Sequence, residues 1–578
     1  MTNATIEGTP AGAAVARESL ACDVLIVGSG AGALCAALTA SHAGLDVLVL
    51  EKEKWFGGAS ARSGGGLWIP GNRYGREAGK PDSREEMLAY FRHEAGPLFD
   101  QERVEAFLDH GPEMVDFVTA ETQVRFMMLL GVSDYHPHHP GGKSEGRAIM
   151  ARSLDSRPHA SRLARLRRPL KASTFRGTQV GIEDFRHFYA AGRSVKSFVY
   201  VAKLVARSWW ETLVHGRSMR LASGNALVGG LAAAALAKGV RLLTEAPVRS
   251  LRTADGRIVG ARAEIDGRQV EVTAREGVVL ATGGFPHDGE RRAALFPSGA
   301  ASSEVWALMP CGNSGDGLRM GEAAGARIEN GMKSPIALSP ITRIDTAEGE
   351  LTCFPVFATR GNPGKLAVKR DGRRFVDEAS SYHDFAVGLL AASAGEQEAV
   401  AYIISDHRSL RRYGLGAVHP VLPIGPHLRS GHLLKGDTLR ELAGKAGIDA
   451  DALERTVATF NRNAEQGVDP DFGRGTNAYD LWAGDPGQKP NPCLGPVRQA
   501  PFYAIRVFAG SVGTFVGLAT NRNAQVLRVD GSVIEGLYAT GNDLASITGG
   551  DYIGGGCTLG PAMTFGYIAA RHMAGIGR

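Results

Sequence analysis

The chain has few cysteines, no long apolar run and almost no excess charge. Its 6 cysteines include no CxxC pair and have no zinc-like spacing with histidine, so we expect reduced thiols and no metal site. No run of about 18 apolar residues occurs, so no segment should span a membrane. The net charge of +5 gives no sign of nucleic-acid binding. These absences favour a cytoplasmic globular protein.

The first residues carry no targeting signal. They contain one arginine and no apolar run, which is unlike a signal or transit peptide. We therefore expect residues 1–19 to be a flexible tail. At about 150 residues per domain, the rest of the chain is long enough for several domains.

Glycine is what the sequence has in excess, with 76 of 578 residues. The usual share is roughly 7%. Because 44% of residues are apolar and no Gly-X-Y period occurs, neither disorder nor a collagen-like helix explains the excess. We expect the glycines to lie where the backbone turns tightly or approaches a ligand.

The first glycine cluster follows an apolar, strand-like run at residues 24–27. A helical stretch and a second strand-like run come next, and the latter ends at Glu51. This order is the β–α–β dinucleotide fingerprint in its G-x-G-x-x-G/A form, with an acidic residue placed to hold the ribose hydroxyls. A helix N-terminus would face the pyrophosphate. The cofactor contacts predicted here are Gly28, Ser29, Gly30, Ala31, Gly32, Ala33 and Glu51.

A second loop of glycine and serine follows directly, in residues 51–72. It resembles the FAD-binding loop of the fumarate reductase/succinate dehydrogenase flavoprotein superfamily, so the dinucleotide is predicted to be FAD. Members with covalent FAD carry a histidine in this loop. None occurs here between His42 and His93, so we predict non-covalent FAD. The contacts predicted in this loop are Lys52, Gly57, Gly58, Ala59, Ser60, Ser63, Gly64 and Gly65.

Further segments resemble other parts of the same flavin site. An alternating, strand-like stretch at residues 240–280 leads into the superfamily's ATGGF sequence, and GDG at residues 315–317 resembles its helix start. A C-terminal helix beginning near Thr558 would direct its N-terminal N–H groups at the flavin. Asn542 is a departure, because many members have a glutamate there. The contacts predicted from these segments are Val248, Ala281, Thr282, Gly283, Gly284, Asp316, Gly541, Asn542, Thr558 and Leu559.

Two tyrosines stand where fumarate reductases of the superfamily have arginines. Tyr382 takes the place of the catalytic proton donor after the RRFVDE stretch, and Tyr552 takes the place of a substrate-carboxylate arginine before a glycine turn. The carboxylate-binding histidine that relatives have near residues 512–514 is missing as well. These replacements argue against a dicarboxylate substrate. They favour an uncharged ketone such as a steroid, since tyrosine supplies polarity without charge.

Longer motifs resemble the 3-ketosteroid Δ1-dehydrogenases from about residue 20 to the end of the chain. They are the GGGLWIPGN loop, SDYHP at residues 133–137, the RRFVDEASSYHDF stretch and the YIGGGCTLGPAMTFG terminus. The resemblance implies that the Tyr552 hydroxyl and the Gly556 N–H hold the steroid C3 carbonyl. It further implies that Tyr382 removes a proton from C2, that Tyr135 lowers the pKa of Tyr382, and that FAD takes hydride from C1.

The two histidines beside these tyrosines have no assigned role in that scheme. His136 follows Tyr135 and His383 follows Tyr382. We expect both to be structural, and a part in relaying protons is the alternative.

The predicted fold is α/β. It combines a Rossmann-like FAD-binding domain, residues 20–340 and 513–578, with an inserted α+β catalytic domain, residues 341–512, that caps the substrate. The alternatives in function are a related ketosteroid Δ4-dehydrogenase, an enone reductase, and a non-catalytic flavin protein of the membrane surface. Only one dinucleotide fingerprint occurs, so we expect a quinone or another acceptor, and not NAD, to reoxidise the flavin.

Residues 155–221 form a basic insertion that lies outside the resemblance. From Arg162 to Arg220 the sequence has 13 Lys or Arg and 3 acidic residues. Apolar residues between Val195 and Leu213 recur every three to four positions, and the pair Trp209-Trp210 is typical of a lipid interface. Two interpretations stay open. One is an ordinary packed helix with a solvated basic face, and the other is peripheral association with an anionic membrane.

Overall fold

Two large sheets organise the chain in the computed structural model. The residues that the structure describes are 18–170, 173–192, 194–296, 306–345, 351–357, 359–420 and 422–576. Of the tail predicted at residues 1–19, residues 1–17 lie outside the described part. The last two residues of that prediction already belong to the first strand.

The first sheet contains the dinucleotide fingerprint. Its central strand, Glu18–Val27, is parallel to Arg268–Leu280 on one side and to Val47–Leu50 on the other. Residues 24–27 are buried between the layers, and this is why they form an unbroken apolar run without alternation. The other strands of this sheet are Arg241–Leu243, Val248–Ala254, Arg257–Ile265, Gln525–Leu527 and Val533–Ala539.

The second sheet is mainly antiparallel and is built around the long strand Phe502–Thr514. This strand pairs with Ile336–Asp345 and Val400–Ser405. The other strands of this sheet are Trp306–Ala307, Leu351–Pro355, Lys365–Val368 and Leu433–Gly436. Short strands outside the two large sheets are Gly66–Trp68, Phe126–Met128, Ala148–Ala151, Leu154–Asp155, Arg220–Leu221, Ile328–Glu329 and Gly517–Leu518.

Helices cover both sheets. The α-helices are Ala31–His42, Arg73–Glu77, Arg84–Ala95, Gln101–Glu121, Phe185–Ala190, Val195–His215, Ser223–Ala237, Gly289–Leu295, Asp316–Ala323, Tyr382–Ala392, His407–Tyr413, Gly425–Arg429, Leu439–Ala446, Ala450–Gln466, Ala478–Ala483 and Leu559–Met573. The short 3-10 helices are Ser60–Arg62, Gly96–Leu98, Arg157–His159, Ile182–Asp184, Thr359–Gly361 and Gly541–Asp543. The α/β architecture predicted from the sequence is confirmed.

Two of these helices pack backbone to backbone beside the first sheet. A Cβ at Gly566, in the helix Leu559–Met573, would lie 2.4 Å from the carbonyl oxygen of Gly32, in the helix Ala31–His42. Only glycine permits this approach. The contact brings the N-termini of both helices to one end of the first sheet, where they line a common cavity.

The predicted domain boundaries fall inside strands. The boundary after residue 340 lies within Ile336–Asp345, and the boundary after residue 512 lies within Phe502–Thr514. Hydrogen bonding places both strands in the second sheet. The division into a cofactor domain and a catalytic domain stays a prediction, with these two strands assigned whole to the catalytic part.

Among the described residues, no helix has both the length and the apolar character required to cross a lipid bilayer.

Candidate active site

The fingerprint loop connects the central strand of the first sheet to the helix Ala31–His42. Gly28 has a φ of +104°, and a Cβ there would lie 2.2 Å from the carbonyl oxygen of Ala281. A larger residue is therefore excluded. With Gly30 as the N-cap, the first N–H groups of the helix face the cavity. This is the arrangement in which a helix N-terminus receives a phosphate.

The acidic residue after the second strand is held from two sides. The carboxylate of Glu51 accepts hydrogen bonds from the Ser29 hydroxyl and, at 2.9 Å, from the N–H of Glu53. Burial raises the pKa of Glu51. Next to it, Lys52 Nζ lies 2.5 Å from an oxygen of Asp316 at the start of another helix. Both acidic residues line the cavity, as a ribose-binding site requires.

One cavity of about 730 Å³ contains nearly all the residues predicted from the sequence. Those that line it are Gly28, Ser29, Gly30, Ala31, Gly32, Ala33, Glu51, Lys52, Gly58, Ala59, Ser60, Ser63, Gly64, Gly65, Tyr135, Val248, Ala281, Thr282, Gly283, Asp316, Tyr382, Gly541, Asn542, Tyr552, Gly556, Thr558 and Leu559. Residues more than 500 positions apart therefore form one site.

Gly57 and Gly284 are the two predicted contacts that do not line the cavity. The N–H of Gly57 donates to the Ser29 hydroxyl at 2.9 Å, and the N–H of Gly284 donates to Asp543 at 3.0 Å. These glycines support the cavity wall from behind. That they contact the cofactor stays a prediction.

Asp543 is an organising residue that the sequence motifs did not reveal. Its carboxylate accepts hydrogen bonds from the N–H groups of Thr282, at 2.5 Å, and Gly284. Burial raises its pKa to about 6. It ties the ATGGF turn to the segment of Gly541 and Asn542. The pattern GND carries no local signal for this long-range contact.

The three tyrosines predicted to act on a ketone meet at the far end of the cavity. The ring centroids of Tyr382 lie 5.4 Å from those of Tyr135 and 4.9 Å from those of Tyr552. The rings of Tyr135 and Tyr552 are nearly parallel, with centroids 5.7 Å apart. Three separate segments thus direct phenol groups into one small volume.

The loop that carries Tyr552 is fixed by backbone contacts. The carbonyl oxygen of Ile553 accepts from the Tyr90 hydroxyl at 2.8 Å and from the N–H of Tyr135 at 3.1 Å. Gly556 has a φ of +103°, and a Cβ there would lie 2.4 Å from the carbonyl oxygen of Gly66. Because both contacts fix the backbone, they also fix the position of the Tyr552 side chain relative to the N–H of Gly556.

Tyr382 is the first residue of the helix Tyr382–Ala392, which Ser381 caps through the N–H of Asp384. Burial raises the pKa of Tyr382 well above its ordinary value, and the adjacent hydroxyls of Tyr135 and Tyr552 raise it further. The expectation that Tyr135 lowers the pKa of Tyr382 is therefore wrong for the protein groups alone. In a buried cluster of phenols, the ionisation of one phenol disfavours the ionisation of its neighbours, because two negative charges would then lie close together away from water.

Three further aromatic residues complete this end of the cavity. Tyr479 lies 4.8 Å from Tyr135 between ring centroids, and Trp482 lies 5.8 Å from Tyr479. Phe357 packs 4.8 Å from Tyr382. Tyr479 and Trp482 belong to the short helix Ala478–Ala483, which no sequence motif singled out. Their only signal was an aromatic pair in a segment without an assigned role.

The shape and donors of the glycine-lined part fit a dinucleotide with a flavin. Two helix N-termini and a carboxylate after the second strand match the requirements of pyrophosphate and ribose. Because glycine has no side chain, a flat ring can approach the backbone closely in this part of the cavity. A sequence model described as "FAD binding domain" matches residues 23–559.

The chain belongs to this FAD binding domain family. FAD is its cofactor, and the protein is an FAD-dependent oxidoreductase. These predictions from the sequence are confirmed.

Similar proteins include several dehydrogenases of cyclic ketones. The chain is 40% identical to 4-oxocyclohex-2-ene-1-carboxylate 5-dehydrogenase of Sinomonas cyclohexanicum, over 96% of this chain and 94% of that protein. It is 36% identical to 3-oxosteroid 1-dehydrogenase of Mycobacterium tuberculosis (strain ATCC 25618 / H37Rv), over 96% and 98%. The chain is thus similar to enzymes named for two substrate classes, oxocyclohexene carboxylates and 3-oxosteroids.

A solved structure of the same kind matches the whole fold. It is the crystal structure of 3-ketosteroid delta1-dehydrogenase from Sterolibacterium denitrificans in complex with 1,4-androstadiene-3,17-dione. The TM-score is 0.87 at 33% identity, and the match covers 96% of this chain and 100% of that one. The coarse prediction, a flavin-dependent dehydrogenase of the 3-oxosteroid 1-dehydrogenase type, is confirmed.

Proposed function

We propose that the protein dehydrogenates 3-ketosteroids between C1 and C2. The observation that carries the proposal is the meeting of Tyr135, Tyr382 and Tyr552 beside the glycine-lined part of one cavity. Such a cluster can polarise a ketone and remove a neighbouring proton without any charged side chain at the carbonyl.

In this mechanism, each residue acts at one atom of the substrate. The Tyr552 hydroxyl and the Gly556 N–H donate hydrogen bonds to the C3 carbonyl oxygen and stabilise the enolate as negative charge develops there. Tyr382 accepts the proton from C2. Tyr135 holds the Tyr382 hydroxyl in position. FAD, when bound, supplies the acceptor for the hydride from C1.

The raised pKa of Tyr382 has a consequence for this step. Its phenolate is scarce at neutral pH, so proton removal depends on the acidity that the two carbonyl donors give to C2. The N-terminus of the helix Leu559–Met573 faces the same cavity and favours negative charge nearby. Tyr382 also begins a helix, and this end of the helix favours an anion.

A small carboxylated ring ketone is the second candidate substrate, because the relative with 40% identity is named for one. A bound carboxylate would be expected to meet a cation. The cationic lining residues among those described are Lys52, Arg62 and Arg167. Lys52 pairs with Asp316, and Arg62 lies in the turn that follows the glycines of the cofactor loop.

Cations do not occur among the described lining residues of the segments 129–150, 182–185, 355–362 and 479–484, which surround the tyrosines. The lining side chains of these segments are mainly aromatic and aliphatic, with Thr359 and Asn362 as polar exceptions. The buried Arg360 does not line the cavity and interacts with Tyr479 behind it. An uncharged steroid therefore suits this end of the cavity better than a carboxylate.

Anaerobic reduction of the flavin by a panel of ketones tests the function. Androst-4-ene-3,17-dione should bleach the flavin within a turnover, whereas 4-oxocyclohexanecarboxylate should do so far more slowly. NMR of the product should locate the new double bond at C1–C2. A double bond at C4–C5 of a saturated substrate would support the Δ4 alternative, and no bleaching by any ketone would support a non-catalytic flavin protein.

We further propose that FAD is bound without a covalent bond. The described lining residues include no histidine, the attachment residue in covalent members. Acid precipitation should leave the flavin in the supernatant. A yellow pellet would contradict the proposal.

The helix Val195–His215 supports a peripheral association with an anionic membrane. Its buried residues are polar: Ser197, Ser208 and Glu211. Its exposed apolar residues are Val195, Phe198, Val199, Tyr200, Trp209, Trp210, Leu213 and Val214. Most of its apolar side chains face outward, although Tyr200 and Trp209 also hydrogen-bond to Asp184 and to the carbonyl oxygen of Arg176. This exposure favours membrane association over an ordinary packed helix.

Charge on this helix also suits an anionic surface. Lys196, Lys203 and Arg207 are exposed, while its one acid, Glu211, is buried and paired with Arg207. Vesicles with and without an anionic lipid separate the outcomes in a co-sedimentation assay at low salt. Retention by anionic vesicles only is the expected result. A quinone in such a membrane would be a suitable electron acceptor.

A further inference from the structure

The three tyrosines each have a charged neighbour in sequence, and the charged side chains meet behind the cavity. The pairs are Tyr135 with His136, Tyr382 with Asp384, and Tyr552 with Asp551. One nitrogen of His136 and one oxygen each of Asp384 and Asp551 all lie within 4.8 Å of one another. We name these three charged residues the ionic node.

His136 is held at both ends of its ring. Its Nε2 lies 3.0 Å from Oδ2 of Asp384, and its Nδ1 lies 3.0 Å from Oε2 of Glu94 in the helix Arg84–Ala95. The side chain of Glu94 is 1% exposed, and its other oxygen contacts His139 at 2.7 Å. The loop of Tyr135 is thus tied to a buried anchor on one side and to the helix of Tyr382 on the other.

Asp384 and Asp551 are fixed in their own segments. The Ser381 hydroxyl, which caps the helix Tyr382–Ala392, donates to Oδ2 of Asp384 at 2.8 Å. The N–H of Tyr552 donates to Oδ1 of Asp551 at 3.0 Å, and Lys333 pairs with the other oxygen at 3.2 Å. A shift of either carboxylate would therefore carry its tyrosine with it.

Two members of the node, His136 and Asp384, are charged at neutral pH. Burial opposes the protonated ring of His136, but the hydrogen bonds with Asp384 and Glu94 raise its pKa to about 11. Burial also opposes ionised Asp384, yet His136 lowers the pKa of that carboxyl. The titratable groups that face His136 are Glu94, His138, His139, His383, Asp384 and Asp551, with Lys333 beyond Asp551.

We propose that His136 is a positioning residue, whose ion pairs with Glu94 and Asp384 set the mutual placement of Tyr135 and Tyr382, and whose proximity to Asp551 links the segment of Tyr552 to them. The proposal rests on the proposed function, because these tyrosines must hand over a proton at hydrogen-bond distance. Proton transfer needs separations of about 2.6–3.2 Å between heavy atoms. A misplacement of about 1 Å can lower a rate by roughly 100-fold.

His136→Gln is the first test, with His139→Gln as the matched control. Glutamine keeps a hydrogen-bonding side chain but removes the charge. The rate constant of flavin reduction at saturating steroid should fall by about tenfold or more. FAD content and steroid affinity should stay within about threefold, since His136 is not among the residues lining the cavity. His139 pairs with Glu94, and its ring lies 4.9 Å from the ring of His136, but it forms no ion pair with Asp384 or Asp551 among the described residues, so its variant should keep a rate close to wild type.

Asp384→Asn gives a readout that a merely structural role would not change. The amide oxygen can still accept from Ser381, so the helix cap is retained. His136 then loses one of the two carboxylates that raise its pKa, and its pKa falls below about 11. The variant should gain an ionisation in the pH profile of flavin reduction, with the rate falling as His136 loses its proton.

Two results would overturn the node. One is a His136→Gln variant with the wild-type rate and pH profile. The other is a stoichiometric metal ion in the purified enzyme whose removal abolishes activity, because a metal on Glu94, His136 and His139 requires a neutral His136 ring. Tyr382→Phe separates this failure from that of the proposed function. If Tyr382→Phe is inactive while His136→Gln is fully active, only the node fails. If Tyr382→Phe is fully active, the proposed mechanism fails.

Discussion

Replacing Tyr552 by phenylalanine isolates the carbonyl donor of the proposed mechanism. The side chain is 5% exposed, and its ring is fixed between Tyr135, at 5.7 Å, and Phe515, at 6.1 Å. These contacts involve the ring and not the hydroxyl. Phenylalanine should therefore occupy the same place. The variant loses one hydrogen-bond donor in the cavity, together with the hydroxyl that raises the pKa of Tyr382.

The size of the effect follows from the surroundings of that donor. Inside a cavity without solvent, an oxyanion donor typically lowers the barrier by about 3–4 kcal/mol. At about 1.4 kcal/mol per factor of ten, this predicts a loss of roughly 10²–10³ in the rate of flavin reduction. The Gly556 N–H remains in the variant and accounts for the residual rate. FAD affinity should hardly change, because the cofactor part of the cavity is lined by other residues.

Stopped-flow reduction of the bound flavin by androst-4-ene-3,17-dione, without oxygen, measures this loss directly. Tyr402→Phe is the matched control, since Tyr402 is a buried tyrosine in the second sheet that does not line the cavity. The control should reduce its flavin at the wild-type rate. A Tyr552→Phe variant within about fivefold of wild type, with full FAD content, would refute the assignment of the donor.

Three further predictions follow from the same geometry. Gly556→Ala should lose steroid-dependent flavin reduction, because a Cβ there would lie 2.4 Å from a backbone oxygen; Gly531→Ala, with a φ of +85° and open space around it, is the control for backbone strain. The rate of flavin reduction should rise with pH, because burial raises the pKa of Tyr382 and its phenolate increases only as pH increases; a flat profile would contradict the assigned base. Trp210→Ser combined with Leu213→Ser should abolish binding to anionic vesicles while leaving the melting temperature unchanged.

The sequence predicted those parts of the site whose residues lie close together along the chain as well as in space. The fingerprint from Gly28 to Glu51 is one continuous β–α–β unit, so its turn, helix and acidic residue follow from local pattern alone. Tyr382 and Tyr552 could be assigned because each lies in a motif of fixed length. The same motifs also grouped Gly57 and Gly284 with the contact residues. In the structure neither residue lines the cavity, and their N–H groups donate to Ser29 and Asp543.

Features that depend on distant segments could not be predicted in this way. Tyr479 reaches Tyr135 only because the short helix Ala478–Ala483 folds over the cavity. The charge on His136 depends on carboxylates 42 and 248 positions away along the chain. No window of sequence contains both partners. The pKa of Tyr382 is likewise raised by burial among other phenols. The sequence led us to expect a lowered pKa because it pointed to one neighbour, Tyr135, and gave no information on burial.

The outward face of the helix Val195–His215 bears on why the insertion exists. The inner face is tethered by polar contacts: Glu211 accepts from the N–H of Met219 at 2.7 Å, and Arg207 pairs with Asp155 at 3.3 Å. Of the exposed apolar residues, Tyr200 and Trp209 add hydrogen bonds to Asp184 and to the carbonyl oxygen of Arg176, whereas the Leu213 side chain, at 80% exposure, lies outside that attachment. An exposed apolar side chain gains free energy only when another apolar surface covers it, at about 25 cal/mol per Å². Polar substitutions there should leave folding intact, so a loss of membrane binding without a loss of stability would assign this face to association and not to the core.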